Sequence, residues 1–129
     1  MGETGGHAAP ARVLVVDDEP SLRLLCRVNL ELDGFEVLEA STLAEARSAL
    51  STGEVAVVLL DLHLHGERGG ELIAECRSRR PPVGVVVVSG STAAGEELPP
   101  GVDATLPKPF ELDELLAAVR ALAGARAGR

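Results

Sequence analysis

The sequence predicts a doubly wound α/β fold, in which five parallel strands form one sheet with helices on both of its faces. Short β-branched apolar runs alternate with segments of helical period, and these runs occupy residues 13–16, 36–39, 55–60, 83–88 and 102–106. Three of the runs are almost continuously hydrophobic, which suits central parallel strands covered on both faces. The connections between runs are too short for anything other than right-handed crossovers. At 129 residues, the chain has the size of one domain.

The first helix is predicted to begin at Pro20, because the missing N–H of proline is tolerated in a first turn. Apolar side chains then recur at helical spacing until Gly34 ends the helix; they are Leu22, Leu25, Val28 and Leu32. Thr42 and Glu45 have the spacing of a capping box and predict a second helix, which Gly53 closes.

Two further helices are predicted in the second half of the chain. One is centred on Leu72, Ile73 and Cys76, and the two prolines at 81 and 82 stop it. The last helix has acidic residues in its first turn, where the helix dipole favours negative charge, and one apolar face. The acids are Glu111, Asp113 and Glu114, and the apolar face comprises Leu112, Leu115, Leu116, Val119 and Leu122.

Glycine and proline interrupt the segment before the last strand, at Gly95, Pro99, Pro100 and Gly101. We therefore expect the fourth helix to be short or irregular, with about two turns at most. Residues 1–10 are rich in Gly, Ala and Thr, and we expect them to form a disordered leader. The domain is then predicted over residues 11–122, followed by a tail or linker remnant over residues 123–129.

Composition and charge exclude several classes of function. Aromatic residues make up 2% of the chain, so it lacks the side chains of a base-stacking groove. A formal net charge of −8 opposes binding to nucleic acids and to anionic membranes. No apolar run is long enough to cross a bilayer and no secretion signal is present, so we expect a cytoplasmic protein. Cys26 and Cys76 form no CxxC pair and predict buried thiols without redox or metal function.

Acidic residues follow two of the predicted strands. Asp17 and Asp18 come directly after the first strand, and Asp61 follows the third. Because the carboxyl ends of parallel strands share one edge of the sheet, we expect the three carboxylates to converge. Two carboxylates about 4–6 Å apart repel each other by about 3–4 kcal/mol at an effective dielectric near 20. Either protonation of one carboxyl or a hard divalent cation such as Mg²⁺ would offset that repulsion.

Two other polar side chains are predicted at the same edge. Ser89 ends the fourth strand and offers a hydroxyl, and Lys108 follows the fifth strand with an ammonium on a long stem. This combination suits phosphoryl transfer to a carboxylate. Asp61 would attack phosphorus, Mg²⁺ would offset the charge of the phosphoryl oxygens, and Lys108 with Ser89 would hold those oxygens.

The assembled pattern resembles the receiver domain of response regulators in two-component signalling. The resemblance rests on LVVDDEP at 14–20, LLDLHLHG at 59–66, VVVVSG at 85–90 and LPKPF at 106–110, and it covers residues 12–122. It implies a flavodoxin-like fold. It also implies a role for each polar residue: Asp61 as phosphoacceptor, Asp17 and Asp18 as metal-binding acids, the backbone carbonyl of His63 as a further Mg²⁺ ligand, Ser89 as the switch hydroxyl, Lys108 as the lysine that pairs with the phosphoryl group, and Pro109 as the residue after a cis peptide bond.

By this resemblance, the chain is a signalling phosphoacceptor and not an enzyme with a separate substrate. A sensor histidine kinase or a histidine phosphotransfer protein would donate the phosphoryl group to Asp61, shifting the domain between two conformations. Slow autodephosphorylation would reset the domain. The signal would pass to a downstream protein partner or to a C-terminal output domain missing from this chain, because a stand-alone regulator and an excised domain have the same appearance.

The chain departs from the family pattern at three places. His65 stands where the family usually has proline, which removes a fixed φ after the acceptor. Thr105 stands where many receivers have the Tyr or Phe that turns inward when the switch hydroxyl moves. The segment between Ser89 and Lys108 is a few residues shorter than usual. We expect phosphorylation to proceed as in relatives while its signal leaves by an altered surface; simple length variation is the alternative.

Three other functions fit parts of the pattern. A haloacid-dehalogenase-like phosphohydrolase also uses an aspartate at a strand end, but it requires a second acid where this chain has His63. A nucleotide or flavin binder requires a glycine-rich loop after the first strand, where Asp17, Asp18 and Glu19 would repel phosphate. A receiver-like interaction module that works without phosphorylation is the main alternative, and only the three departures favour it.

Overall fold

Helices separate the first four strands of the five-stranded sheet, as the sequence predicts. The computed structural model describes residues 10–64, 67–89 and 100–127. In chain order, its elements are β1 (Arg12–Val16), α1 (Pro20–Leu32), β2 (Glu36–Ala40), α2 (Leu43–Thr52), β3 (Val57–Asp61), β4 (His63–Leu64), β5 (Glu67–Arg68), α3 (Gly70–Ser78), β6 (Gly84–Ser89), β7 (Ala104–Pro107) and α4 (Leu112–Ala127).

The main sheet has the strand order β2-β1-β3-β6-β7, and every neighbouring pair is parallel. The prediction of a doubly wound five-stranded parallel sheet is therefore confirmed. β4 and β5 form a separate antiparallel pair that the sequence did not reveal, because two residues per strand are too few to show an alternating pattern. The segment for which a short fourth helix was predicted lies in residues 90–99, outside the described residues, as do residues 1–9 of the predicted leader.

Two apolar layers hold the helices against the two faces of the sheet. One layer contains buried side chains of α2 and α3, such as Leu50 and Ile73. The other contains buried side chains of α1 and α4, such as Leu30 and Leu115. Because successive strand residues point to opposite faces, each central strand contributes to both layers. The sheet is thus covered on both sides, and its carboxyl edge is the part that presents polar groups.

Local signals set the helix ends as predicted. Pro20 occupies the first turn of α1, and Gly34 follows that helix with a φ of +95°, a conformation that glycine adopts readily. At the start of α2, the hydroxyl of Thr42 accepts a hydrogen bond of 3.1 Å from the N–H of Glu45. The Glu45 carboxylate in turn accepts one of 2.7 Å from the N–H of Ser41.

The residues of α1 that pack on the sheet are not the apolar row from which the helix was predicted, which was Leu22, Leu25, Val28 and Leu32. Cys26 and Leu30 are buried, and Leu22 packs against the same layer. The other apolar side chains of α1 are exposed, namely Leu24 (59%), Leu25 (44%), Val28 (44%) and Leu32 (82%). Two rows of this helix have helical apolar spacing, so the period locates the helix without saying which row faces the core.

The last helix extends beyond residue 122, where the sequence analysis placed the end of the domain. α4 continues to Ala127, five residues beyond residue 122. Ala123 is only 6% exposed, so packing against the sheet layer extends into this stretch. Alanine has the highest helix propensity of the amino acids, which explains why the alanine-rich sequence stays helical.

Candidate functional site

The carboxyl edge of the sheet brings the three predicted acids together. β1 and β3 are neighbours with Val16 opposite Leu60, so Asp17 and Asp61 leave their strands at the same level. Asp17 is 3% exposed and Asp61 is 8% exposed. Asp17, Asp18 and Asp61 each offer a carboxylate oxygen, and these oxygens all lie within 4.8 Å of one another. The predicted convergence of the three carboxylates is therefore observed.

Lys108 reaches into this acid cluster from the neighbouring part of the sheet. Its Nζ lies 3.2 Å from Oδ2 of Asp17 and 3.5 Å from Oδ2 of Asp61. The backbone N–H of Lys108 donates a hydrogen bond of 2.8 Å to the carbonyl of Ser89. The bond between Lys108 and Pro109 is cis, as the resemblance implied. The structure thus places Ser89 and Lys108 side by side at the edge that carries the acids.

Opposing effects act on the pKa of Lys108. Partial burial lowers this pKa, because it penalises the charged ammonium, but the carboxylates of Asp17 and Asp61 outweigh burial and raise it above the ordinary value. Lys108 is therefore charged at neutral pH. Its ammonium offsets part of the repulsion among the three acids.

The Asp17 segment is held by contacts that the sequence analysis missed. The N–H of Glu19 donates a hydrogen bond of 2.9 Å to Oδ1 of Asp17. Arg23 donates one of 2.7 Å from Nη1 to the backbone carbonyl of Asp17. Side chains on a helix tilt toward its N-terminus, so an arginine in the first turn of a helix that follows an acidic loop is a signal that could have indicated this contact.

Apolar side chains form the floor of the acid cluster. Together with Asp17 and Asp61 they line a small cavity, and they include Val15, Leu22, Cys26, Leu59, Val88 and Phe110. Burial raises the pKa of the Cys26 thiol to about 11, and the nearby Asp17 carboxylate adds to this effect. The thiol is therefore protonated at neutral pH, in line with the prediction of a buried cysteine. Electrostatic interactions are strengthened over such an apolar floor.

His63, whose carbonyl the resemblance implies as a metal ligand, and the two single-residue departures from the family pattern fall in different places. His63 begins β4, two residues after Asp61, and is paired with Arg68 of β5. His65 lies outside the described residues. Thr105 is an exposed residue of β7, and it stands opposite Val87 of β6.

The donor set of the cluster fits a hard divalent cation. Three carboxylates supply the oxygen ligands that Mg²⁺ prefers, and Mg²⁺ usually retains several waters beside one or two carboxylates. Asp17 and Asp61 are buried, and Asp18 is partly exposed, which leaves an open side. Among the described residues, no helix is long and apolar enough to span a bilayer.

The fold and the site define an α/β domain with an acidic cluster, suited to a metal ion, at the carboxyl edge of a parallel sheet. Residues 13–120 match the family model for the response regulator receiver domain, and the chain belongs to this family. It is thus a receiver domain of two-component response regulators. This membership does not favour the alternative of an interaction module that works without phosphorylation.

Curated relatives are longer than this chain. The response regulator MprA of Mycobacterium sp. (strain KMS) is 34% identical over 116 residues, which cover 88% of this chain and 50% of the relative. The transcriptional regulatory protein KdpE of Mycobacterium tuberculosis (strain H37Rv) is 38% identical over 112 residues, which cover 84% of this chain and 49% of the relative. The chain therefore spans about half the length of the curated relatives it matches.

Solved structures share the same fold. A CheY-like response regulator receiver domain protein from Methanospirillum hungatei JF-1 superposes with a TM-score of 0.83 at 25% identity, covering 92% of this chain and 98% of the other. The response regulator protein TrrA from Thermotoga maritima, solved in complex with Mg²⁺-BeF, superposes with a TM-score of 0.77 at 30% identity, covering 87% and 98% of the two chains.

Proposed function

We propose that this receiver domain accepts a phosphoryl group on Asp61 from the phosphohistidine of a sensor histidine kinase or a histidine phosphotransfer protein. In this proposal Asp17, Asp18 and Asp61 hold Mg²⁺, together with the backbone carbonyl of His63. The observation that carries the proposal is the placement of a buried carboxylate at the end of a central strand, with two acids and an ammonium around it. The domain assists its own phosphorylation and dephosphorylation and has no separate substrate.

The transfer is a displacement at phosphorus. A carboxylate oxygen of Asp61 forms the new bond to phosphorus, while the bond from phosphorus to the donor's imidazole nitrogen breaks and that nitrogen keeps the electron pair. Mg²⁺, when bound, offsets the negative charge of the phosphoryl oxygens. Lys108 already lies 3.5 Å from Asp61, so its ammonium is placed to pair with an oxygen of the arriving group. Asp61 ends β3 and is buried beside the apolar floor, which limits the orientations open to the acceptor.

The exposed apolar side chains of α1 support a protein donor over a small molecule. All four large hydrophobic side chains that are exposed in the described residues lie on this helix. α1 begins at Pro20, three residues after Asp17, so its N-terminal end lies beside the acid cluster. A donor that packs on Leu24 and Leu25 would bring its phosphohistidine to the same edge of the sheet. Exposed apolar patches of this kind mark surfaces that bind other proteins.

The output of the domain is the part of the proposal that goes beyond the acceptor chemistry. We infer that the Ser89 hydroxyl moves toward a phosphoryl oxygen on Asp61 and that this movement passes through β6 and β7. Since Thr105 has no ring to bury, the exchange used by relatives with Tyr or Phe is not available here. A downstream protein, or an output domain of a longer protein, would receive the signal in the cytoplasm. The net charge of −8 argues against direct nucleic-acid contact by this domain.

Intact-mass measurement after incubation with acetyl phosphate and Mg²⁺ tests the proposal. The native chain should gain the mass of one phosphoryl group, and chelation of the metal with EDTA should prevent the gain. Asp61→Asn should stay unlabelled, because an amide is not a nucleophile at phosphorus. The matched control is Asp113→Asn, which removes one exposed carboxylate of α4 and should label as the native chain does. Labelling of Asp61→Asn at the native rate would refute the assignment.

A further inference from the structure

One side chain outside the acid cluster, that of Arg23, binds the peptide that joins Asp17 to Asp18. Asp17 donates its backbone N–H to the carbonyl of Ala40 (3.0 Å), and its carboxylate accepts from the Glu19 N–H (2.9 Å) and from Lys108 Nζ (3.2 Å). Its carbonyl oxygen accepts a hydrogen bond of 2.7 Å from Nη1 of Arg23. Each polar group of Asp17 thus has a partner, and Arg23 binds the carbonyl of the Asp17–Asp18 peptide.

Arg23 is itself anchored on a neighbouring strand. Its Nε donates a hydrogen bond of 3.1 Å to Oε1 of Glu39 in β2, and its side chain is only 18% exposed. Arg27, one turn later in α1, binds the other carboxylate oxygen of Glu39 at 2.8 Å. Arg23 therefore connects the loop after β1 with β2, whereas Arg27 shares the same partner without contacting Asp17 in the described contacts. The planar guanidinium of arginine can serve two acceptors in this fixed geometry.

We propose that Arg23 is a positioning residue for the divalent cation. The inference rests on the proposed function of the acid cluster. The carbonyl that Arg23 holds belongs to the peptide between Asp17 and Asp18, so rotation of this peptide would turn the two carboxylates away from a shared ion. The contacts that orient metal ligands from outside commonly affect metal affinity strongly.

The sign of the effect separates positioning from simple charge. Arg23 is a cation close to the acid cluster, so its charge alone opposes the binding of Mg²⁺. If Arg23 acted only through charge, removing it would tighten Mg²⁺ binding. If Arg23 orients the acids, removing it weakens binding in spite of the lost repulsion.

Isothermal titration calorimetry with MgCl₂ tests the inference on the full chain. Arg23→Met should weaken Mg²⁺ binding by about 10-fold to 100-fold. Arg23→Lys keeps the positive charge but replaces the planar guanidinium, which donates to both Glu39 and the Asp17 carbonyl, with a single ammonium. This variant should therefore also bind Mg²⁺ less tightly than the native chain. Arg27→Met is the matched control, and its affinity should stay within about twofold of the native value because an exposed ion pair contributes little. Native or tighter binding by Arg23→Met would overturn the inference.

A second readout needs no metal. In the metal-free protein, the backbone amide resonances of Asp17 and Asp18 should shift in Arg23→Met and stay in place in Arg27→Met, while circular dichroism confirms that both variants are folded. The outcome also distinguishes this inference from the proposed function. A native chain that binds Mg²⁺ but is not labelled by acetyl phosphate refutes the phosphoacceptor role alone. A labelled native chain with unchanged Mg²⁺ affinity in Arg23→Met refutes the role of Arg23 alone.

Discussion

Magnesium should raise the melting temperature of this domain by about 5 °C for each tenfold increase in concentration above the dissociation constant. Carboxylate oxygens of three acids lie within 4.8 Å of one another, and a pair at that distance repels by about 3.5 kcal/mol at an effective dielectric of 20. A cation that binds only the folded acid cluster removes this repulsion. The folded state then gains about 1.4 kcal/mol for each decade of free Mg²⁺.

The size of the temperature shift follows from the length of the chain. Unfolding entropy near the melting temperature is about 2.1 cal/mol/K per residue. For 129 residues this amounts to about 0.27 kcal/mol/K, which converts 1.4 kcal/mol into about 5 °C. The slope against the logarithm of concentration does not depend on the affinity itself, so the prediction requires no prior value for the dissociation constant.

Far-ultraviolet circular dichroism is the suitable assay, because the chain has no Trp or Tyr to report unfolding by fluorescence. Over a fixed range of Mg²⁺ concentration that begins near the native dissociation constant, Asp18→Asn should show a smaller rise in melting temperature, since the loss of one of the three ligands raises the dissociation constant. The control Asp113→Asn removes an equal charge from the exposed first turn of α4 and should keep the native slope. Sodium chloride at matched ionic strength separates ion binding from screening. An equal rise in melting temperature over this range for Asp18→Asn and the native chain, or for sodium chloride and magnesium chloride, would refute the reasoning.

Four further predictions concern packing, charge and backbone conformation. Leu30→Ala should lower the free energy of unfolding, measured in urea, by about 2–5 kcal/mol, because Leu30 is fully buried. Leu32→Ala, on the exposed side of α1, should change this free energy by less than about 0.5 kcal/mol. Similar losses in the two variants would contradict the packing of α1. Lys108→Met should tighten Mg²⁺ binding in a calorimetric titration, because it removes a competing cation, and weaker binding would contradict this. Because the pKa of Lys108 is raised in the folded state, its ion pairs stabilise the fold fully at neutral pH and lose this effect as the pH rises through the raised pKa. The free energies of unfolding of the native chain and of Lys108→Met should therefore converge only in strong alkali. Gly101→Ala should lower the melting temperature, because Gly101 has a φ of +96° and a Cβ there would lie 2.8 Å from Cγ of Arg77. A melting temperature equal to that of the native chain would contradict this backbone conformation.

The fold and the core of the site could be predicted because their signals are local in the sequence. Each strand is a short apolar run, and the polar residue that follows a run necessarily lies at the carboxyl edge of a parallel sheet. This reasoning brought Asp17 and Asp61 together although 43 residues separate them. The position of Lys108 followed from the same rule, applied to the end of the last strand.

Other features could not be predicted because they depend on contacts between residues that are distant in the sequence. Arg23 contacts Glu39 of β2, and nothing in the linear sequence links these two positions. The buried row of α1 through Cys26 and Leu30 was indistinguishable by spacing from the exposed row through Val28 and Leu32. Packing against the sheet decides between such rows.

The short loop between β1 and α1 fixes the rotation of α1 about its own axis. This rotation places Leu30 in the core and Arg23 at the Asp17 carbonyl. Only Asp17, Asp18 and Glu19 separate the strand from the helix. Because an α-helix has 3.6 residues per turn, one residue inserted here and taken up into the helix would turn the rest of α1 by about 100°. Such an insertion would move Leu30 out of the core and Arg23 away from the Asp17 carbonyl in a single event. The fold should therefore tolerate a substitution in this loop better than an insertion or a deletion, whereas Mg²⁺ binding should be sensitive to both.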